Sequence, residues 1–250
     1  ALFNCALLAY NTYMQYKVIK QLNDLNHNFY DRFAESFADS RGGNEPGMER
    51  ALAGIAPGSR VLELGCAQGR FVRRLPPGCD YVGLDFSAPL IARAAAEPSP
   101  ASARFIVADL MADDWAAQLD PPYDVILARA VLHHIPGYNH RLRVLRQAAA
   151  LLTPTGRILM ANWQFLNVER FRVRLQPWES LGLSEADVEP GDCLLDWRRE
   201  GWGLRYVHHL GAEETELLAS DAGLKIVDRY TADGREGNLT LYTVMTRQLQ

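Results

Sequence analysis

The chain has 250 residues, 48% of them hydrophobic, and a formal net charge of −4. That length and apolar content suffice for one large buried core, and the acidic balance excludes a protein that holds nucleic acid by bulk charge. No uncharged apolar run reaches the ~18 residues that a membrane-spanning helix requires.

The opening "ALFNCALLAYNTYMQYK" lacks the basic stretch of a secretory signal, Met14 reads as the natural start, and residues 1–13 carry no functional expectation. Cys5, Cys66, Cys79 and Cys193 show no metal-ligand spacing, so no metal site is expected and a reducing, cytoplasmic setting is. From 16 to 40 the chain is polar with apolar positions at helical spacing, including Phe29, Phe33 and Phe37 at four-residue intervals, which predicts an amphipathic helix. "VLELGCAQGRF", residues 61–71, then reads as a buried strand, a glycine turn and a helix start.

Further strands are predicted at 81–84, 104–107, 123–128 and 157–162, with helical segments near 70–75, 87–97 and 140–152. Such alternation implies right-handed βαβ crossovers and an α/β fold, a Rossmann-like, mostly parallel sheet with helices on both faces. After Trp163 the rhythm stops, and 164–210 reads as an insertion or lid on the substrate side. The chain closes with a helix, Gly223 as its cap, a strand, a glycine-bearing loop and a last strand. Two strands joined without a helix must pair antiparallel.

In an open parallel sheet, ligands sit beyond the carboxyl ends of the strands. There the chain places Glu63 to Gly65, Asp85, Asp109 and Arg129. Asp85 follows Gly65 by twenty residues, the separation at which an acid accepts hydrogen bonds from a ribose diol. A dinucleotide is disfavoured, because its fingerprint needs glycines where this chain has Ala67 and Arg70. The bland alternative makes Asp85 an acid ahead of a helix whose N-cap is Ser87. His133 and His134 are adjacent, so at most one is expected to face a site. In "RYVHH", Arg205, Val207 and His209 share one strand face and Tyr206 and His208 the other; that strand either meets substrate or is a solvated lid strand.

"VLELGCAQG", "GLDFS", "ADL", "PPYDVILARAVLHHIP" and "AAALLTPTGRILMANW" resemble, in order and spacing, the motifs of class I S-adenosylmethionine-dependent methyltransferases. The resemblance covers about residues 28 to 246 and implies a seven-stranded sheet with an antiparallel last strand. It implies one methyltransferase domain over 1–246, with 14–45 as a helical cover and 164–210 inserted between strands five and six. It also implies a cofactor site of Glu63, Gly65, Gly69, Asp85, Phe86, Asp109, Leu110 and Arg129: Gly65 and Gly69 behind the methionine part, Asp85 on the ribose, Asp109 and Leu110 around the adenine. The family usually has glycine where this chain has Ala67.

"FYDRFAESFADSR", "GDCLLDW" and "LRYVHHLGAEETELLASDAGL" are similar to segments of the tRNA wobble-uridine carboxymethyl methyltransferases, a resemblance that implies Arg41 on the cofactor carboxylate; residues 164–190 match nothing named. A carboxylate acceptor is ionised near neutral pH and needs a cation rather than a base. Arg205 is the expected cation, with Arg129, Tyr206 and His208 as alternatives, and the acceptor is a tRNA or a small aromatic acid. Two rivals stand beside it. One is methylation of a metabolite hydroxyl or amine, with His133 or His134 as base. The other is a cofactor-binding subunit that is inactive, or active only with a small activating partner protein.

Overall fold

The computed structural model describes residues 14–40, 45–100 and 102–248. Its main sheet has seven strands: β1 (Arg60–Leu64), β2 (Asp80–Asp85), β3 (Ala103–Val107), β4 (Tyr123–Arg129), β5 (Leu152–Trp163), β9 (Leu224–Ala232) and β10 (Thr240–Arg247). They lie in the order β3-β2-β1-β4-β5-β10-β9, with β10 antiparallel to both of its neighbours and the other pairs parallel. The chain runs outward from β1 to β3 on one side and from β4 to β5 on the other. The β1/β4 boundary is therefore the switch point where such a sheet opens a crevice.

Side chains alternate across each strand and divide the core in two. Leu62, Leu64, Val82 and Leu84 face a layer that contains α5 (Tyr138–Ala150) and α7 (Ala212–Asp221). Val61, Tyr81, Val125 and Leu127 face α3 (Pro46–Ala53) on the opposite side. Helix α4 (Ala88–Ala96) packs beside β2 and β3.

The insertion after β5 holds the short helix α6 (Glu169–Arg172) and a second, antiparallel sheet of β6 (Leu175–Gln176), β7 (Asp192–Trp197) and β8 (Gly203–His208). Strand β8, which might have been a solvated lid strand, is buried along its whole length. It is covered by α1 (Tyr16–Arg32), whose Val18 and Leu22 pack on Leu194 and Tyr206. Phe29, Phe33 and Phe37 pack around Trp197, and full burial of such side chains is worth about 1.5–3 kcal/mol each.

Two expected helices differ. The single helix over 16–40 breaks at Phe33, whose φ of −109° and ψ of 19° separate α1 from α2 (Ala34–Asp39). The break turns Phe37 back toward the main sheet. The helix near 70–75 is only a 3-10 turn over Val72–Arg74. No helix among the described residues is long and apolar enough to cross a membrane.

Candidate active site

Two connected hollows open at the carboxyl edge of the main sheet. The first is a narrow cleft of about 70 Å³ between Gly65, Asp85, Phe86, Asp109 and Leu110 on one side and Asn23, Tyr30 and Phe37 of α1 and α2 on the other. The second is a cavity of about 460 Å³ between β4, β5 and the small sheet. Ala130 and His134 border both.

The cleft is organised by backbone. Gly65 has φ +66°, and a Cβ there would meet Val131 at 2.7 Å, so only glycine lets the turn pass. Asp85 ends β2 and accepts hydrogen bonds from the amides of Ala67 at 2.8 Å and Ser87 at 2.9 Å, fastening the glycine turn to the start of α4. Burial pushes the Asp85 carboxyl up to about 6, against those amides. Ser87 is the N-cap of α4 by position, but its hydroxyl donates to Asp31 on α1. Glu63 lies behind the turn in a smaller hollow, accepts from Tyr81 at 2.5 Å, and is pushed up to about 7 by burial.

The far wall comes from α1. The His27 ring stacks on Phe86 at 4.2 Å with 6° between planes, and its Nε2 lies 3.2 Å from Asp109 Oδ2. The hydrogen bond to Asp109 raises the His27 pKa. Burial raises the Asp109 carboxyl, yet His27 and the Met111 amide hold it below the ordinary value.

The cavity is built from arginines and rings. Arg129 and Arg70 share Glu45, whose pKa they hold down despite burial. Arg174 pairs with Asp196 at 2.9 Å. Arg205 differs. It is 4% exposed, has no carboxylate partner among the described residues, and its Nε has no hydrogen-bond partner. Its guanidinium lies 5.4 Å from the Phe29 and Trp163 ring centres and 5.7 Å from that of Trp197. Among the described residues the one hydrogen bond from its terminal nitrogens goes to the Tyr30 hydroxyl at 3.4 Å. That hydroxyl lies 2.7 Å from His134 Nε2, while His134 Nδ1 lies 3.1 Å from the carbonyl of Tyr206. A carbonyl only accepts, so Nδ1 carries a proton, and in the neutral ring Nε2 accepts from Tyr30.

Several expected site residues stand elsewhere. Tyr206 and His208 do not line the cavity: the Tyr206 hydroxyl donates to Asp192 at 2.7 Å, and the His208 ring lies between Asp192 at 2.7 Å and Glu214 at 2.6 Å. The alternation of β8 that turns Arg205 inward turns these two into the protein. Gly69 lines neither hollow; the space of its missing Cβ is taken by Phe105 at 2.4 Å, so it is a packing glycine. Arg129 borders the cavity, but as the partner of Glu45. Arg41 lies outside the described residues. His133 and His134 both border the cavity, because the 3-10 turn over Leu132–His134 does not splay neighbours as a strand would.

Sequence reasoning missed His27, Asn23, Tyr30 and Glu45, none of which belongs to a strand-end motif, and passed over Trp163 although it ends β5. It also missed Arg141 of α5, fully buried between Glu189 at 2.7 Å and Glu214 at 2.8 Å. Glu189, Asp192 and His208 bring ligand atoms within 4.8 Å of one another, the composition of a metal centre. Arg141 already supplies positive charge there, and each of the three has a protein partner.

A family profile described as a methyltransferase domain matches residues 30–228. The tRNA (carboxymethyluridine(34)-5-O)-methyltransferase of Arabidopsis thaliana is 28% identical over 137 residues, 55% of this chain and 32% of that protein. The chain thus matches about a third of that relative's length. The enzyme of the same name from Schizosaccharomyces pombe is 26% identical over 88% of this chain and 87% of its own. Among solved structures, the Haloferax volcanii complex between the Trm112 methyltransferase activator and a methyltransferase matches with a TM-score of 0.61 at 18% identity, covering 90% of this chain and 98% of that one. That likeness speaks for the fold.

Proposed function

We propose an acceptor for this chain, which belongs to the methyltransferase-domain family and is an S-adenosylmethionine-dependent methyltransferase: it transfers the methyl group to a carboxylate carried on an aromatic ring system, of which a carboxymethylated tRNA wobble uridine is the leading case. The cleft suits the cofactor. Gly65 leaves room for close backbone approach, Asp85 stands at the end of β2, and Phe86 and Leu110 offer flat and apolar surface. When bound, the cofactor supplies an electrophilic methyl on a sulfonium, whose departure as a neutral thioether needs no acid.

The protein's share is then positioning and exclusion of water. One observation carries the acceptor assignment: Arg205 is buried beside the cavity, ringed by Phe29, Trp163 and Trp197, and unpaired with any acid among the described residues. A desolvated guanidinium without an anion is costly, and a carboxylate entering the cavity supplies the missing partner. The indole N–H of Trp197 is also buried without a partner among the described residues, a second donor beside the same hollow. The carboxylate arrives ionised, so it needs Arg205 to orient it and no base.

The test is steady-state kinetics of Arg205→Ala with 5-carboxymethyluridine as acceptor. Loss of a charge-assisted contact worth about 1.5–3 kcal/mol lowers kcat/KM by about 10–100-fold, with cofactor affinity within twofold, about 0.4 kcal/mol, of wild type. A rate at saturating substrates that climbs tenfold per unit between about pH 6 and 8 would instead assign a hydroxyl or amine acceptor and a base, and His134 would be the group to examine. The described chain contains both hollows. Turnover by the isolated chain tests whether a small activating partner, like the activator in the Haloferax complex, is needed as well.

A further inference from the structure

We propose that the mouth of the acceptor cavity is a second anion site, formed by Arg170 and Arg199 and built for a nucleotide phosphate. The cavity therefore takes a phosphorylated nucleotide unit and not a free aromatic acid. This rests on the reading of Arg205 as the carboxylate's partner and specifies what else the acceptor carries.

The argument is a contrast between neighbours. Arg170 and Arg172 lie in the same short helix α6; Arg172 does not line the cavity and is paired with Glu169. Arg198 and Arg199 are adjacent after β7; Arg198, also off the cavity, is held by Asp196 at 2.6 Å. Arg170 and Arg199 both line the cavity, both are exposed, and neither has a hydrogen bond or ion pair among the described residues. In both pairs the arginine on the cavity is the one left without an acid among the described residues, whereas Arg174, which also lines the cavity, is held by Asp196. Two such cations on the lining of one cavity suit an anion with several oxygens.

Depth separates the two sites. Arg205 is buried among rings at the inner end, while Arg170 and Arg199 stay in water at the mouth. A planar base between Trp163 and Trp197, both of which line the hollow, would join a carboxylate at Arg205 to a phosphate at the mouth. Exposed Trp202, three residues beyond Arg199, stands in the same loop and can stack a neighbouring base.

The test is calorimetry on the full chain with three probes: uridine, uridine 5′-monophosphate and the dinucleotide uridylyl-uridine. The monophosphate or the dinucleotide is expected to bind at least about tenfold tighter than uridine. In the Arg170→Ala/Arg199→Ala double variant, two exposed positions whose loss leaves the melting temperature unchanged, that preference disappears and uridine affinity holds. Equal affinity for all three probes, or a preference that survives the double substitution, overturns the mouth site. Binding of the dinucleotide as tight as that of the monophosphate assigns the site to an internal RNA phosphate, whereas tight binding of the monophosphate alone assigns it to a free nucleotide. Binding of 5-carboxymethyluridine, measured beside these, reports separately on Arg205: affinity no higher than that of uridine, with the phosphate preference intact, ends the carboxylate reading and leaves the mouth site standing.

Discussion

The cleft and the cavity meet at Ala130 and His134 but are made in opposite ways. The cleft's acids are engaged before any ligand arrives: Asp85 by two amides, Asp109 by His27 and the Met111 amide. Its shape is set by strands β1 to β3, and it has little slack. The cavity is several times larger and keeps cations in reserve, with Arg205, Arg170 and Arg199 all lacking an acidic partner among the described residues. A hollow whose polar groups are pre-satisfied selects by shape, and one with unspent charge selects by charge. That division suits an enzyme with one invariant cofactor and one acceptor to be told apart from many others.

If the division is real, the two halves should fail separately, and the sharpest way to separate them is the buried clasp under the small sheet. Arg141 on α5 and Glu214 on α7 belong to the main fold, whereas Glu189, Asp192 and His208 belong to the insertion that carries Arg205 and Trp197. Arg141→Met leaves Glu189 and Glu214 without their cation. Breaking a buried ion pair costs about 3–5 kcal/mol, and at this chain length each kcal/mol lowers Tm by about 2–4 °C. Differential scanning calorimetry should show that loss. Below the transition, the acceptor KM should rise while cofactor affinity is unchanged; equal weakening of both would mean that the halves are not independent.

The converse substitution acts on the cleft. Asp85→Ala removes the acceptor for the Ala67 and Ser87 amides and, on the proposed reading, the carboxylate that meets the cofactor at the end of β2. Charge-assisted contacts of this kind carry about 1.5–3 kcal/mol, so the cofactor Kd should rise by about 10–100-fold. Titration calorimetry checks it. The acceptor KM should not follow, because no atom of Asp85 borders the cavity.

The same contrast explains what the sequence could and could not disclose. The main sheet was legible because strand periodicity and turn residues are local, and the same locality puts Gly65, Asp85, Asp109 and Leu110 at strand ends, where they line the cleft. Arg205 was legible through the alternation of β8, although the same alternation put Tyr206 and His208 in the interior and not beside it. The packing of Gly69 against Phe105 was not legible, because a packing glycine and a ligand-cradling glycine look alike in one dimension. His27, Glu45 and Arg141 left no signal, since each gains its place from a partner far along the chain: Asp109 for His27, Arg129 for Glu45, Glu214 for Arg141. The contrast between Arg170 and Arg172 is likewise invisible until folding decides which one faces the hollow.

The smallest effect comes from pH. The cleft wall rests on a titrating pair, His27 and Asp109, while the cavity's arginines stay charged throughout. The folded pKa of His27 is raised, so the stability it contributes is fully present below the ordinary imidazole value of 6.5 and is lost as pH rises through the raised value. Asp109 is lowered, so its own contribution is lost only as pH falls below the ordinary 3.8. Both groups are about a third exposed, which limits the pair to about 0–1 kcal/mol after screening. His27→Phe keeps an aromatic ring against Phe86 and removes the charge. Between about pH 6 and 8 the wild type should lose up to about 4 °C of Tm relative to the variant, while the acceptor KM of both proteins stays level. A wild-type Tm that rises relative to His27→Phe over that range would mean that neutral His27, and not the ion pair, holds the wall.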